Sequence, residues 1–163
     1  MRAAIDRLTE RIGEAVSWLS LVIVIVMAVN VLLRYFFRTG SVWAQELEWH
    51  LLVPLILFGM SYALRHGEHV RVDIFYARFS PRTQGIVDLI SALLAIAISA
   101  IIIYLSLGYV EQAYSIGEKS PDPGGLTHRF LLKALIPIGF TLLFAQSIAV
   151  AIAAIDRLRG RQT

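Results

Sequence analysis

A chain of 163 residues that is 57% hydrophobic and 17% charged, with a mean hydropathy of +0.67, carries too little charge for a soluble domain, where about a quarter of the residues are ordinarily charged. It contains no cysteine, which excludes disulfides, thiolate metal sites and Cys nucleophiles. Its net charge of +3 and pI of about 9.5 point to membrane topology and not to nucleic acid, because the basic residues flank apolar runs.

The charge map divides the chain. Residues 15–33, 89–110 and 134–155 carry no formal charge, and Leu51–Leu64 forms a shorter run bounded by His50 and Arg65. A bilayer core takes about 20 helical residues. The chain therefore reads as all-α, a four-transmembrane-helix integral membrane protein forming a single membrane domain over 1–163. The expected spans are 14–37, 45–65, 81–110 and 129–155. Little chain remains outside them.

The N-terminus has the look of a signal peptide, with Arg2, Arg7 and Arg11 before an apolar run. That run is long, lacks a small-x-small cleavage site and ends in Arg34-Tyr35-Phe36-Phe37-Arg38, so it is expected to persist as span one. Tyr35, Phe36 and Phe37 suit an interfacial aromatic belt. A short link with Gly40 and Ser41 then turns the chain.

Span two is unusual. Leu51–Leu64 alone would reach only about 21 Å at 1.5 Å per residue, so the helix must start near Gln45. Glu46, Glu48 and His50 then lie at or inside the membrane boundary, where ionisable groups are costly and usually partnered. The hairpin puts Arg34 level with Glu46 to Glu48. Either Arg34 pairs with Glu46 or Glu48, or both carboxylates reach headgroup water. Asn30, one turn before Arg34 on the same face, is the main polar residue of span one, and an interhelical hydrogen bond is its simplest use. Pro54 in span two and Pro137 near the start of span four can each kink a helix.

In the middle loop, Val72, Phe75, Tyr76 and Phe79 follow i, i+3, i+4, i+7 spacing, flanked by Arg71, Arg78 and Arg82. This predicts a short interfacial amphipathic helix between spans two and three. His66, Glu68, His69 and Asp73 are too loosely spaced for a metal site and read as a charged loop among headgroups. Ser80-Pro81 reads as an N-cap and first-turn proline opening span three. Span three carries Ser91, Ala95 and Ser99, and span four Ala145, Ala149 and Ala153, small residues four apart that permit close helix approach. Between these spans, Ser120-Pro121-Asp122-Pro123-Gly124-Gly125 is either a stiffened loop able to dock a partner or a plain turn.

Ten of the 15 basic residues (Arg2, Arg7, Arg11, Arg65, Arg71, Arg78, Arg82, Arg157, Arg159 and Arg161) fall on the side holding both termini and the middle loop. The positive-inside rule then makes both termini cytoplasmic. No Gly-rich phosphate loop, HExxH or serine elbow is present. The spans are nearly bare of polar groups, whereas a transporter acting alone places ionisable groups or broken helices mid-membrane. Physics alone thus gives a four-helix membrane protein without a substrate pathway or catalytic site of its own, as accessory subunits are.

The run Arg34-Tyr35, Trp43-Ala44-Gln45-Glu46-Leu47-Glu48, Gly59, then Arg65-His66-Gly67-Glu68-His69-Val70-Arg71-Val72-Asp73 resembles the small membrane subunit of tripartite ATP-independent periplasmic (TRAP) transporters, the DctQ-type small permease. Pro121-Asp122-Pro123-Gly124-Gly125-Leu126, Arg129 and Lys133-Ala134-Leu135-Ile136-Pro137 resemble one branch of it. Order and spacing together, over nearly the whole chain, carry the likeness.

The resemblance implies a bacterial inner-membrane protein that is not an enzyme and needs no cofactor and no metal. It would work with a large membrane permease subunit that holds the substrate and ion sites, and with a periplasmic substrate-binding protein that captures an organic acid. The small subunit would be a scaffold for ion-gradient-driven import. The residues to watch are Asn30, Arg34, Glu46, Glu48 and His50 for polar pairing at the outer face, and His69, Arg71 and Asp73 for the cytoplasmic face. Lys119, Pro121, Asp122 and Arg129 are the candidate periplasmic partner contacts. A chain ending soon after span four is expected to be a subunit separate from its large partner. The rival readings are the small subunit of a tripartite tricarboxylate transporter and a stand-alone ion channel lined by Asn30, Glu48 and His50.

Overall fold

The structure, a computed structural model, describes residues 2–68 and 76–160. His69, Arg71 and Asp73, and most of the expected interfacial helix, lie outside the described residues. What is described is all-helical: α1 (Arg2–Phe37), α2 (Val42–His66), α3 (Pro81–Ser115) and α4 (Arg129–Leu158). All four are long and apolar enough to cross a membrane. They run antiparallel in sequence, so one face of the bundle holds the start of α1, the end of α2, the start of α3 and the end of α4. The opposite, distal face holds the 38–41 link and the 116–128 loop.

Local chemistry sets the boundaries. Ser41 caps α2, its hydroxyl accepting from the Ala44 N–H at 3.3 Å, and Gly67 closes it in the left-handed conformation at φ 74°. The capped start at Val42 lengthens span two beyond the expected start near Gln45. Ser80 accepts from the Thr83 N–H at 3.2 Å and Pro81 opens the first turn of α3, the cap and proline read from the sequence. α1 continues as helix well before its uncharged run, reaching about 54 Å at 1.5 Å per residue.

α4 is the hub, packing against α1, α2 and α3, whereas α3 rests almost wholly on α4 and α1 leans mainly on α2. The most apolar stretch of α1 is accordingly unburied, as expected of a surface that faces lipid.

The packing stripe differs from the expected one. The buried residues of α3 are Gly85, Ala92, Ser99, Ser106 and Ala113, one every seventh residue. Of the small residues expected at four-residue spacing, Ser99 and Ala149 are buried, Ser91 is exposed, and Ala95, Ala145 and Ala153 are half-buried. A step of four turns about 40° past a full circle, so such a stripe soon leaves its neighbour; a step of seven drifts only about 20°, which a left-handed supercoil absorbs. With only Gly, Ala and Ser buried on α3, that helix comes close to α4. Gly85 marks that approach: a Cβ there would lie 3.0 Å from the Leu158 side chain. Two more glycines seat helices on each other. A Cβ on Gly13 would lie 2.1 Å from the Tyr62 ring, joining α1 to α2, and one on Gly139 would lie 2.7 Å from the Leu57 Cβ, joining α4 to α2.

Candidate functional site

Polar side chains pair within the chain at both faces, and the middle of the bundle holds uncharged groups, with buried hydroxyls such as Ser99 and Ser106 as its polar members. At the distal face Glu46 is the centre. Its carboxylate accepts from the Ser120 hydroxyl and from the backbone N–H of Leu126, tying α2 to the α3–α4 loop. The same Ser120 oxygen accepts from the Asp122 N–H at 3.2 Å, Ser120 N–H donates to the Leu126 carbonyl at 3.1 Å, and Arg129 N–H donates to the Glu118 carbonyl at 3.2 Å. These nested bonds fix the Pro/Gly loop. Gly125 is required beneath it, because a Cβ there would sit 2.4 Å from the Ser120 hydroxyl and 2.7 Å from a Glu46 oxygen. Pro121, Asp122 and Lys119 are left exposed on the outside, and Arg129 is half-buried beside them.

Lys133 in the first turns of α4 is ion-paired to Glu118 of this loop and lies 3.8 Å from the centre of the Tyr109 ring of α3, so its charge is met by the loop and by α3 together. His50 Nδ1–H donates to the Glu46 carbonyl one turn back at 2.7 Å.

On the other side of α2, Asn30 Nδ2 donates to the Glu48 carboxylate at 3.3 Å. Arg34 is exposed and reaches neither carboxylate, and it makes no ion pair among the described residues. The hairpin explains this. Counted from the link, Asn30 and not Arg34 is level with Glu48, while Glu46 points toward the α3–α4 loop, away from α1.

At the terminal face three clasps hold the helices. Glu10 on α1 accepts from Arg65 and lies 3.0 Å from His66 Nε2, joining α1 to α2. Gln146 on α4 is 2% exposed; it accepts from the Thr9 hydroxyl at 2.8 Å and donates to Asp6 Oδ1 at 3.1 Å, joining α4 to α1. Arg157 on α4 meets Asp88 on α3 at 2.9 Å, and the Tyr76 hydroxyl donates to the same carboxylate. Among the described residues no group of three or more His, Asp or Glu gathers as metal ligands.

The sequence reading missed this terminal network. The visible signal was Gln146, an amide inside the uncharged 134–155 run, where a polar side chain asks for a partner. Thr9 and Asp6 gave none, because they precede the apolar run and read as headgroup residues.

A family model for the DctQ component of tripartite ATP-independent periplasmic transporters matches residues 4–157. The chain belongs to the DctQ component family of TRAP transporters. Curated relatives agree. A C4-dicarboxylate TRAP transporter small permease protein of Pseudomonas aeruginosa is 25% identical over 74% of this chain and 57% of its own length. An ectoine TRAP transporter small permease protein of Halomonas elongata is 24% identical over 76% of this chain and 63% of its own. A C4-dicarboxylate small permease protein of Rhodobacter capsulatus is 30% identical over 68% of this chain and 48% of its own. The chain thus spans roughly half to two-thirds of the length of these relatives. The matched proteins are transporter small permease subunits and not enzymes, so the DctQ-family chain is a multi-pass inner-membrane component of a transporter.

Proposed function

We propose that this small permease subunit is a scaffold that braces a large membrane permease and offers its distal face to a periplasmic substrate-binding protein. The observation that carries this reading is the distribution of polar groups. The clusters around Glu46, Glu48, Lys133, Gln146 and Asp88 each close on the chain itself at one membrane face or the other, and the described span interiors offer no line of ionisable groups for a substrate or an ion.

Transport would run through the large subunit and be driven by an ion gradient, with organic acids as cargo. The relatives named for a C4-dicarboxylate and for ectoine support placing the choice of substrate elsewhere in the complex, because one family of small subunits serves both. The excess of basic residues on the terminal face supports cytoplasmic termini and a periplasmic distal face. The Glu46-anchored loop then presents Lys119, Pro121, Asp122 and Arg129 to the periplasm in a fixed shape, which lowers the ordering cost of docking a partner. Glu48 and Asn30 are occupied with each other, which weakens the channel reading.

The test is isolation of the chain from its membrane in mild detergent with identification of what comes with it. A larger multi-span protein, with or without a soluble binding protein, is the expected result. A chain that comes out alone and conducts ions in liposomes, with the current lost in Glu48→Gln, would overturn the scaffold reading.

A further inference from the structure

Between the N-terminal halves of α2 and α4, under the 116–128 loop, lies an open groove with a cavity of about 300 Å³. It is sorted by height. At the loop end are the Asp122 carboxylate and the Arg129 guanidinium. Going down the helices toward the membrane interior, the lining passes the His50 ring, whose buried Nε2 has no partner among the described residues, and then becomes Val53 and Leu132, with Trp49 on the rim. Trp49 is 74% exposed, the placement of an indole that sits at a membrane–water interface.

The charges in the groove are of both signs. Glu46 borders it, but both its oxygens are taken by Ser120 and Leu126. The Asp122 carboxylate and the Arg129 guanidinium make no hydrogen bond or ion pair among the described residues, although Asp122 N–H and Arg129 N–H are both used by the loop. α4 also begins without a side-chain cap, so its N-terminal dipole adds positive character near Arg129. A polar mouth with one open cation and one open anion, leading past one imidazole into an apolar channel parallel to the helices, complements a zwitterion with a polar linkage and a hydrocarbon tail. A doubly anionic ligand would meet Asp122 and Glu46 unfavourably, and a purely apolar one would leave Arg129 and Asp122 without partners.

We propose that this groove binds a zwitterionic phospholipid bearing a primary amine: its phosphate on Arg129 at the α4 N-terminus, its ammonium on Asp122, and an acyl chain along Val53 and Leu132. The primary amine follows from Asp122, a carboxylate that accepts hydrogen bonds which a quaternary ammonium cannot donate. The proposal shares Asp122 and Arg129 with the partner-docking part of the scaffold reading, but it requires only that the chain spans a membrane and is read on the isolated chain, so the two fail separately.

The test is native mass spectrometry of the purified chain in detergent, titrated with dioleoyl-phosphatidylethanolamine, dioleoyl-phosphatidylcholine, dioleoyl-phosphatidylglycerol and water-soluble glycerophosphoethanolamine. Phosphatidylethanolamine should be retained about tenfold more tightly than the other two lipids, the scale of one charge-assisted hydrogen bond. Arg129→Gln and Asp122→Asn should each remove that preference, and the soluble head group should not compete at equal concentration. Equal retention of the three lipids, preference for phosphatidylglycerol, or a preference unchanged in both variants would overturn the proposal. Competition by glycerophosphoethanolamine would also overturn it, by showing a site for a soluble phosphate ester. Asp122→Asn keeps the test decisive even if Arg129→Gln folds poorly, because the Asp122 carboxylate holds nothing in the fold.

Discussion

Replacing Gln146 by Leu should detach the first helix from the hub. Gln146 is 2% exposed and Thr9 is fully buried, so neither can turn to water when its partner is lost. The substitution keeps the side chain's bulk and removes two interhelical bonds, one from the Thr9 hydroxyl at 2.8 Å and one to Asp6 at 3.1 Å. Interhelical hydrogen bonds in membranes contribute about 0.6 kcal/mol on average, with a maximum of about 1.7. A hydroxyl stranded in a buried site costs about 1–3 kcal/mol. Asp6 keeps Arg2 at 3.8 Å, so its loss is the smaller one. The sum is about 2 kcal/mol, or roughly 30-fold in the folding equilibrium. The double variant Thr9→Val with Gln146→Leu removes both members of the main pair and should recover most of that loss, since deleting both partners is nearly neutral. The assay is a double-mutant cycle of unfolding in mixed detergent micelles with increasing SDS. A single Gln146→Leu variant within about 0.5 kcal/mol of the parent, or a double variant as unstable as the two singles combined, would refute the clasp; both figures sit against the roughly 0.3–0.5 kcal/mol scatter of additive mutations.

Gly13→Ala should lower detergent thermostability by about 1–3 kcal/mol, the usual range for overpacking, because its Cβ meets the Tyr62 ring at 2.1 Å; Gly13→Ala with Tyr62→Ala should regain part of it, as read by fluorescence-detected size exclusion. Gly125→Ala should displace Ser120 from Glu46 and expose the 116–128 loop to limited proteolysis, with the helices still formed by circular dichroism. Arg34→Ala should leave folding of the isolated chain unchanged, since Arg34 is exposed and makes no ion pair among the described residues; a fall in melting temperature would show a bond that the bundle does not contain. Arg157→Ala should destabilise by no more than about 1 kcal/mol in the same SDS unfolding assay, because Arg157 is 53% exposed and Asp88 keeps the Tyr76 hydroxyl as a partner.

The closeness of the helices was partly legible. Ser91, Ala95 and Ser99 on span three and Ala145, Ala149 and Ala153 on span four announced a small-residue seam, yet its seven-residue period, which brings in Gly85, became visible only once α3 lay along α4. Periodicity in a run that is apolar all round gives no facing direction, so Ser91 and Ser99 look alike in sequence while one is exposed and the other buried. The same blindness explains Arg34. Spacing from the link brought it level with two carboxylates, but the direction in which Glu46 points depends on a loop 74 residues later.

What the sequence alone determined is what solvent dictates. Charge cannot be left in hydrocarbon, so the uncharged runs had to be membrane-crossing helices, and Ser80 and Pro81 mark a helix start through bonds made within one turn. What only the tertiary structure decided is which polar groups meet. Glu46 with Ser120, Thr9 with Gln146 and Asp88 with Arg157 join residues far apart in the chain. Those pairings follow from α4 occupying the centre of the bundle, an arrangement set by the summed fit of Gly139 against Leu57 and Gly85 against Leu158, which no local pattern encodes.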